Sequence, residues 1–205
     1  MNKKITCCRL CESRLLVKII DLKNQPPANS LHKKNEKIKK FPLIVLFCKK
    51  CKTAQLSISL DPKYLFKKYF WVTSTSSTAK KHSLYFFKKL SKYLNKKSHI
   101  IEIASNDGTF LKPFIRKGHS VLGIDPATNI AKIANSEGIN TIPDFFNYNL
   151  SKKIKKKFQN NRIIFARNVI PHVSNINSVV KGISNLSSNE TIVAIEFHYS
   201  KDILL

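Results

Sequence analysis

The sequence lacks the long apolar runs and the glycine-rich loop that define several classes of protein. No apolar run approaches the ~20 residues of a membrane-spanning helix, and the first residues lead to cysteines without the apolar region of a signal peptide. Only five of the 205 residues are glycine, and no G-x-G-x-x-G stretch occurs. We therefore expect a cytoplasmic protein with no membrane partner and no dinucleotide site of the usual kind.

Acidic residues and arginines are also scarce. The chain has 12 acidic against 37 basic residues, which gives a formal net charge of +25, but only five of the basic residues are Arg. Arginine supplies the planar group that reads bases and phosphates, and no stretch interleaves aromatic with basic residues as a stacking surface would. The lysines are spread along the chain, so a solvated basic surface is favoured over a nucleic-acid partner.

Four of the five cysteines form two C-x-x-C pairs, separated by 36 residues. In a cytoplasmic protein, paired C-x-x-C motifs predict a tetrahedral Zn²⁺ site rather than disulfides. The predicted metal ligands are Cys8, Cys11, Cys48 and Cys51. The alternative is redox-active or merely buried cysteines. Cys7 is either a spare thiol or a competitor for the ligand register.

The first 62 residues predict a small β-rich zinc-binding domain. Apolar patterning predicts strands over residues 15–22, 41–47 and 55–60, and a module this small should depend on zinc for folding. An aromatic and serine-rich linker follows over residues 63–77. Its aromatic residues either floor a sugar pocket or pack one domain on the other.

Residues 100–111 read as strand, polar turn and helix start, the first step of a doubly wound α/β sheet. Glu102 ends the strand, and Asp125 ends the next apolar run 23 residues later. A carboxylate at that second position suits the two hydroxyls of a cofactor ribose. We therefore expect an open α/β fold over residues 78–205.

The charge of the turn at residues 105–108 helps to identify the cofactor. A carboxylate beside the loop repels a pyrophosphate, whereas Glu102 and Asp107 would attract the sulfonium and ammonium groups of S-adenosylmethionine (SAM). The sequence thus favours SAM over NAD. The alternative is that Asn106, Asp107 and Gly108 simply form a turn and helix cap.

Further elements complete the predicted domain. Ser77 should cap a helix over residues 78–94, on which His82 lies off the apolar stripe and should be solvated. Phe145 and Phe146 follow the third strand, where one ring meets an adenine and the other packs in the core. His172 follows the fourth strand, where it either orients a substrate hydroxyl, relays a proton or serves as a structural hydrogen-bonding residue.

Short motifs along the chain, taken as an ordered set, resemble the zinc-containing sugar C-methyltransferases that act on nucleotide-linked 4-keto deoxysugars. The motifs are Cys8-Arg9-Leu10-Cys11, Gln25-Pro26-Pro27-Ala28-Asn29, the second cysteine pair with Gln55-Leu56, the Tyr/Ser-rich linker, residues 102–108, Gly123-Ile124-Asp125-Pro126-Ala127, Phe145-Phe146, residues 168–173 and Glu196-Phe197-His198-Tyr199. The matches cover nearly the whole chain.

The resemblance implies a Rossmann-like class I SAM methyltransferase sheet, about five strands of which are present, preceded by the zinc domain. It implies methyl transfer from SAM to a sugar carbon beside a keto group, with a nucleotide-sugar as the substrate. His172 and Tyr69 would be catalytic, although Trp71 is the alternative to Tyr69 at the aromatic position. The expected cofactor-binding residues are Glu102, Ser105, Asn106, Asp107, Gly108, Asp125, Pro126, Phe145 and Asn168.

Some features depart from the family. Ala104 stands where the family has Gly, Pro171 stands where a small residue is usual, and the chain ends before a Glu-His segment and a C-terminal domain. We therefore expect a truncated N-terminal half with little or no turnover alone, or one that a second chain completes. The alternatives are a zinc-containing nucleic-acid methyltransferase and a non-catalytic, zinc-stabilised binding module.

Overall fold

The computed structural model describes residues 2–28, 31, 33–95, 97–158 and 161–199. The chain divides into two compact units, residues 1–65 with 174–177 and residues 66–173 with 178–205. Asn29, which belongs to one of the motifs above, lies outside the described residues. Among the helices that the structure describes, none is long and apolar enough to cross a membrane.

The first unit is built from short antiparallel strands. They are β1 (Lys3–Lys4), β2 (Leu16–Gln25), β3 (Phe41–Cys48), β4 (Ala54–Leu56) and β5 (Ile58–Ser59), followed by helix α1 (Pro62–Phe66). Strands β2, β3 and β4 form a sheet in that order, and β1 pairs with β5. The strand predicted over residues 55–60 is broken at Ser57, whose N–H donates to Ile44 while its carbonyl accepts from Ile5.

Very little of the first unit is buried. Among its described residues, only Cys8, Cys48 and Gln55 are buried, and apolar side chains such as Leu15 and Leu22 are more than half exposed. A unit without an apolar core cannot offset the conformational entropy that it loses on folding. Its stability therefore has to come from another source. The buried thiols of Cys8 and Cys48 indicate that this source is a bound metal ion.

The second unit alternates helices with parallel strands. A short 3₁₀ turn (Thr73–Thr75) precedes its first helix, and a second one (Ile170–His172) follows its fourth strand. The elements are α2 (Ser77–Ser91), β6 (His99–Ile103), α3 (Lys112–Arg116), β7 (Ser120–Ile124), α4 (Thr128–Ser136), β8 (Thr141–Ile142), α5 (Tyr148–Lys155), β9 (Asn161–Arg167), α6 (Ile176–Leu186) and β10 (Ile192–Glu196).

The five strands of this unit form one parallel sheet in the order β10-β9-β6-β7-β8. The strand order reverses beside β6, because β7 and β8 lie on one side of it and β9 and β10 on the other. In open α/β sheets, ligands bind outside the carboxyl ends of the strands at this reversal. The predicted α/β fold class is confirmed, and Glu102 lies near the carboxyl end of the central strand.

Alternation along the strands assigns side chains to the two faces of the sheet. Ile101 and Ile103 belong to a core cluster with residues of α5 and α6, whereas Ile100 belongs to a second cluster with residues of α2 and α3. Because side chains alternate along a strand, Glu102 points to the same face as Ile100. The sheet thus carries a carboxyl group into an otherwise apolar layer.

Two predicted helix boundaries are wrong in detail. Helix α2 begins at Ser77, and it is Ser76 whose hydroxyl accepts from the N–H of Ala79, so the cap lies one residue earlier than predicted. In a run of serines, several hydroxyls can cap a helix, and the backbone conformation decides among them. The helix start expected within residues 100–111 lies just beyond them, at Lys112, after a turn that starts at Gly108.

Candidate functional site

The two C-x-x-C motifs fold into matched turns. In each one, the N–H four residues after the first cysteine donates to that cysteine's carbonyl, from Glu12 to Cys8 and from Lys52 to Cys48, both at 2.9 Å. Glu12 and Lys52 have left-handed backbone angles, with φ of 60° and 62°. Non-glycine residues rarely adopt this conformation, so its repetition at equivalent positions indicates one structural motif used twice.

The four thiols meet at one point. Their sulfur atoms lie within 4.8 Å of one another, with 3.5 Å between Cys8 and Cys51 and 3.7 Å between Cys11 and Cys48. Zn–S bonds of ~2.3 Å place the sulfurs of a tetrahedral site roughly 3.8 Å apart. The cluster therefore fits Zn²⁺, and hydrogen bonding by Thr53 lowers the pKa of Cys51 to about 6, towards the thiolate that binds metal.

The side chain of Gln55 forms two hydrogen bonds with the main chain of the first of these turns. Its Oε1 accepts from the N–H of Arg9 at 2.9 Å, and its Nε2 donates to the carbonyl of Cys7 at 3.2 Å. Cys7 thus contributes through its main chain, and its thiol is not part of the four-sulfur cluster. The predicted ligand register, with Cys8 rather than Cys7, is the one that brings four sulfurs together.

Glu102 is completely buried near the carboxyl end of β6. Its Oε1 lies 3.5 Å from Nη2 of Arg167, and its Oε2 has no hydrogen-bond partner among the described residues. Burial raises the pKa of Glu102 to about 8, although Arg167 acts in the opposite direction. A buried carboxyl oxygen without a partner is costly, and a cationic ligand group is one way to satisfy it.

Asp107 and Asn106 hold their own loop together. Asp107 Oδ1 accepts from the N–H and hydroxyl of Thr109, and Oδ2 accepts from the N–H of Ser74 at 3.0 Å. Burial opposes ionisation of this carboxyl, but the hydrogen bonds outweigh it, so the pKa of Asp107 is lowered. The amide of Asn106 binds Thr73. Both predicted cofactor residues therefore direct their side chains to neighbouring protein groups.

Asp125 follows β7 and faces the same loop. Its Oδ2 accepts from the N–H of Asn106 at 2.8 Å, and its Oδ1 accepts from the N–H of Ala127 at 2.9 Å. Burial raises the pKa of Asp125, and these two N–H donors partly offset that rise. The structure thus brings the ends of β6 and β7 together through Asp125, with Pro126 half-buried next to it.

The loop packs too closely to accept larger residues. Gly108 has φ of +73°, and a Cβ there would lie 2.5 Å from Cδ1 of Ile139. A Cβ on Gly123 would lie 2.5 Å from Oγ of Ser105, a buried hydroxyl that has no hydrogen-bond partner among the described residues. Together, the unpaired atoms of Ser105 and Glu102 fit a ligand with polar and cationic groups at the strand ends.

The remaining predicted residues lie on the neighbouring loops. Phe145 is half-buried, whereas Phe146 is buried and packs against Gly182, which confirms that one of the two rings belongs to the core. Asn168 is exposed, with φ of +52°. His172 ends a 3₁₀ turn; although it is exposed, partial burial and then His198 lower its pKa, which favours the neutral imidazole at pH 7.

A row of charged groups crosses the carboxyl ends of three adjacent strands. His82 Nε2 lies 2.7 Å from Oε2 of Glu196 at the end of β10, and Oε1 of Glu196 lies 3.7 Å from Nη1 of Arg167, which contacts Glu102. The guanidinium of Arg167 also lies over the ring of Phe110. The side chain of His82 is 39% exposed, and its contact with Glu196 was not predicted.

The main chain of Tyr69 is hydrogen-bonded to Asn129 in the first turn of α4. Its N–H donates to Oδ1 of Asn129 at 3.1 Å, and its carbonyl accepts from Nδ2 of the same residue at 2.6 Å. Neither Asn129 nor Arg167 was predicted as a functional residue. No local motif marks Asn129. The sequence does contain a signal for Arg167, because it is a charged residue directly after the apolar run of β9.

The comparisons with known proteins agree with this geometry. A family described as "Putative zinc binding domain" matches residues 8–66. The C-methyltransferase NovU of Streptomyces niveus is 29% identical over 170 residues, which cover 80% of this chain and 40% of that protein. The present chain therefore spans less than half of the length of this curated relative.

One solved structure shows the same fold. The PH0226 protein from Pyrococcus horikoshii OT3 superposes with a TM-score of 0.54 at 16% identity, covering 71% of this chain and 66% of that chain. A SAM-dependent methyltransferase from Archaeoglobus fulgidus gives a TM-score of 0.47 at 11% identity, with coverage of 56% and 51%. At an identity of 16%, the superposition on the PH0226 protein shows the fold alone.

The predicted fold is thus confirmed as a Rossmann-like parallel sheet preceded by a four-cysteine zinc domain. The zinc-binding family at residues 8–66 and the long match to a C-methyltransferase support the predicted relationship to zinc-containing C-methyltransferases. The chain is thus similar to a C-methyltransferase over 170 residues and carries a zinc-binding domain at residues 8–66.

Proposed function

We propose that this chain carries the cofactor-binding part of an enzyme that methylates a carbon beside the keto group of a nucleotide-linked deoxysugar. The observation that carries the proposal is the unpaired Oε2 of Glu102, buried near the end of the central strand and close to the loop that Asp125 supports. A carboxyl group in that position suits a cationic cofactor and disfavours a phosphate-bearing one.

Each acidic residue would bind a different part of the cofactor. When bound, SAM supplies an electrophilic methyl group on a positively charged sulfur. Glu102 would accept from the ammonium of its methionine part, and Asp125 would accept from the ribose hydroxyls. Gly108 and Gly123 let the loop pack closely against Ile139 and Ser105, and Phe145 would lie against the adenine. Ser105, Asn106, Asp107, Pro126 and Asn168 would shape the surrounding loops.

His172 and Tyr69 would act on the substrate. The lowered pKa of His172 favours the neutral imidazole at pH 7, which could orient a substrate hydroxyl or relay a proton. The hydroxyl of Tyr69 would donate a hydrogen bond to the oxygen of the enolate that forms. The high positive charge of the chain would attract the diphosphate of a nucleotide-sugar.

Full activity in this proposal draws on further polypeptide. β10 is an edge strand of the described sheet, and Val193 and Ile195 on it are 41% and 44% exposed. An exposed apolar edge strand is a site for pairing with another strand. We propose that such a strand, from a second chain or from further sequence, completes the enzyme, and that the 205-residue chain alone shows little or no turnover.

Calorimetric titration of the zinc-loaded protein tests the cofactor assignment. We expect SAM to bind and NAD⁺ not to bind. Asp125→Asn should weaken SAM binding by about ten- to a hundredfold, because hydrogen bonds to a charged group contribute about 1.5–3 kcal/mol. Asp21→Asn makes the same chemical change in the first unit and serves as the control. Binding of NAD⁺ without SAM would refute the proposal.

A further inference from the structure

Two asparagines hold the main chain of the segment that carries the predicted active-site aromatic residue. Asn129 uses both parts of its amide on Tyr69, accepting from its N–H at 3.1 Å and donating to its carbonyl at 2.6 Å. Asn106 also uses both parts, accepting from the N–H of Thr73 at 2.8 Å and donating to the carbonyl of Trp71 at 3.0 Å. We call residues 69–74 the aromatic segment.

The two asparagines lie in the segments that follow β6 and β7. Asn106 follows β6, and its N–H donates to the carboxylate of Asp125. Asn129 lies in the first turn of α4, which begins after that acid. Asp107 adds a third link, because its Oδ2 accepts from the N–H of Ser74. The aromatic segment is therefore bound both to the loop after β6 and to the start of α4.

Apolar burial does not explain why the aromatic segment lies there. The side chains of Phe70 and Trp71 are each 50% exposed, and Thr73 is the one buried residue of the segment. The hydrogen bonds cross 33 residues of sequence for Asn106 and 60 for Asn129. A segment held mainly by polar contacts to two loops shifts when those loops shift.

We propose that Asn106 and Asn129 are positioning residues that couple occupancy of the cofactor site to the placement of Tyr69 and Trp71. This inference rests on the proposed function, since the aromatic segment would form one wall of the keto-sugar site. A ligand that orders the strand-end loops then also orders that wall, so cofactor binding prepares the substrate site. Coupling of this kind is reciprocal, and substrate in turn favours cofactor binding.

The chain itself supplies a reporter, because Trp71 is its only tryptophan. We would titrate the zinc-loaded protein with S-adenosylhomocysteine (SAH) and follow Trp71 emission and calorimetric heat in parallel. The test variants are Asn106→Asp and Asn129→Asp, each of which keeps the oxygen that accepts and replaces the NH₂ that donates. Asn140→Asp, at an exposed residue, is the matched control.

We expect SAH to change Trp71 emission in the wild type and in the control. In both test variants that change should be lost, and SAH affinity should fall by about fivefold or more, the lower end of the usual range for coupled sites. An Asp in the first turn of α4 favours the helix, so Asn129→Asp should fold. The amides of β6 should stay protected from hydrogen exchange in both test variants, which would show that the sheet remains folded.

The possible failures are distinguishable. If the wild type binds SAH by calorimetry while Trp71 emission stays constant, the coupling is refuted and the proposed function stands. The same holds if both test variants keep the full emission change. If the wild type gives no heat of binding with either SAM or SAH, the proposed function itself is refuted, and the coupling with it.

Discussion

Replacing Glu102 by Gln should stabilise the ligand-free second unit and weaken cofactor binding. Burial raises the pKa of this carboxyl from an ordinary value of 4.5 to about 8. Between these values the folded state keeps a proton that the unfolded state releases, so the carboxyl lowers stability as pH rises from about 4.5 and has its full effect above about 8. The Gln side chain does not titrate and still offers an oxygen to Arg167.

The size of the effect follows from the shift. A difference of about 3.5 pKa units at about 1.4 kcal/mol each gives roughly 5 kcal/mol above pH 8, and about 3 kcal/mol at pH 7. Denaturant unfolding followed by Trp71 emission measures it, because this residue lies in the second unit. Stability should fall with pH in the wild type relative to Glu102→Gln, by several kcal/mol between pH 5 and pH 8.5.

Proton release on ligand binding is a second measurement of the protonation state of Glu102. At pH 7 a cationic ligand should displace the proton from Glu102, so calorimetry in buffers of different ionisation enthalpy should show close to one proton released per SAM. The variant should release almost none through this group. Glu190→Gln, at an exposed side chain, is the control. A stability difference between Glu102→Gln and the wild type that does not change with pH would refute the reasoning.

Three further predictions concern the rest of the molecule. A chelator or Cys48→Ser should unfold the first unit, because structural Zn²⁺ contributes on the order of 10 kcal/mol to folding. Elemental analysis would measure the loss of zinc, and circular dichroism would measure the unfolding. An unchanged thermal transition would contradict this prediction. His172 should titrate by NMR below its ordinary pKa, and His198→Gln should raise that midpoint; an unchanged midpoint would exclude the contribution of His198. Gly108→Ala should cost about 2–4 kcal/mol of unfolding free energy from its left-handed backbone and its contact with Ile139.

The features that the sequence predicted well are those set by local pattern. Apolar runs that end in an acid located β6 and β7, because parallel strands buried on both faces need continuous apolar sequence. The spacing of the cysteines located the zinc ligands, because a C-x-x-C turn can place both thiols on one metal. In each case the chemistry depends on residues close together in the chain.

The features that the sequence did not predict depend on strand order and long-range contact. Arg167 reaches Glu102 only because β9 lies beside β6 in the sheet, and His82 meets Glu196 across 114 residues. The side chain of Asn129 binds a main-chain segment 60 residues earlier, and no local pattern records such a contact. The roles of such residues can be identified once the order of the strands and the long-range contacts are known.

A crystal structure of the zinc-loaded protein with SAH would test the central claim most directly. We predict electron density for the ligand beyond the carboxyl ends of β6 and β7, with its ribose hydroxyls on Asp125 and its ammonium on Glu102. Density elsewhere on the protein, or a ligand at the strand ends that contacts neither carboxyl group, would contradict the account.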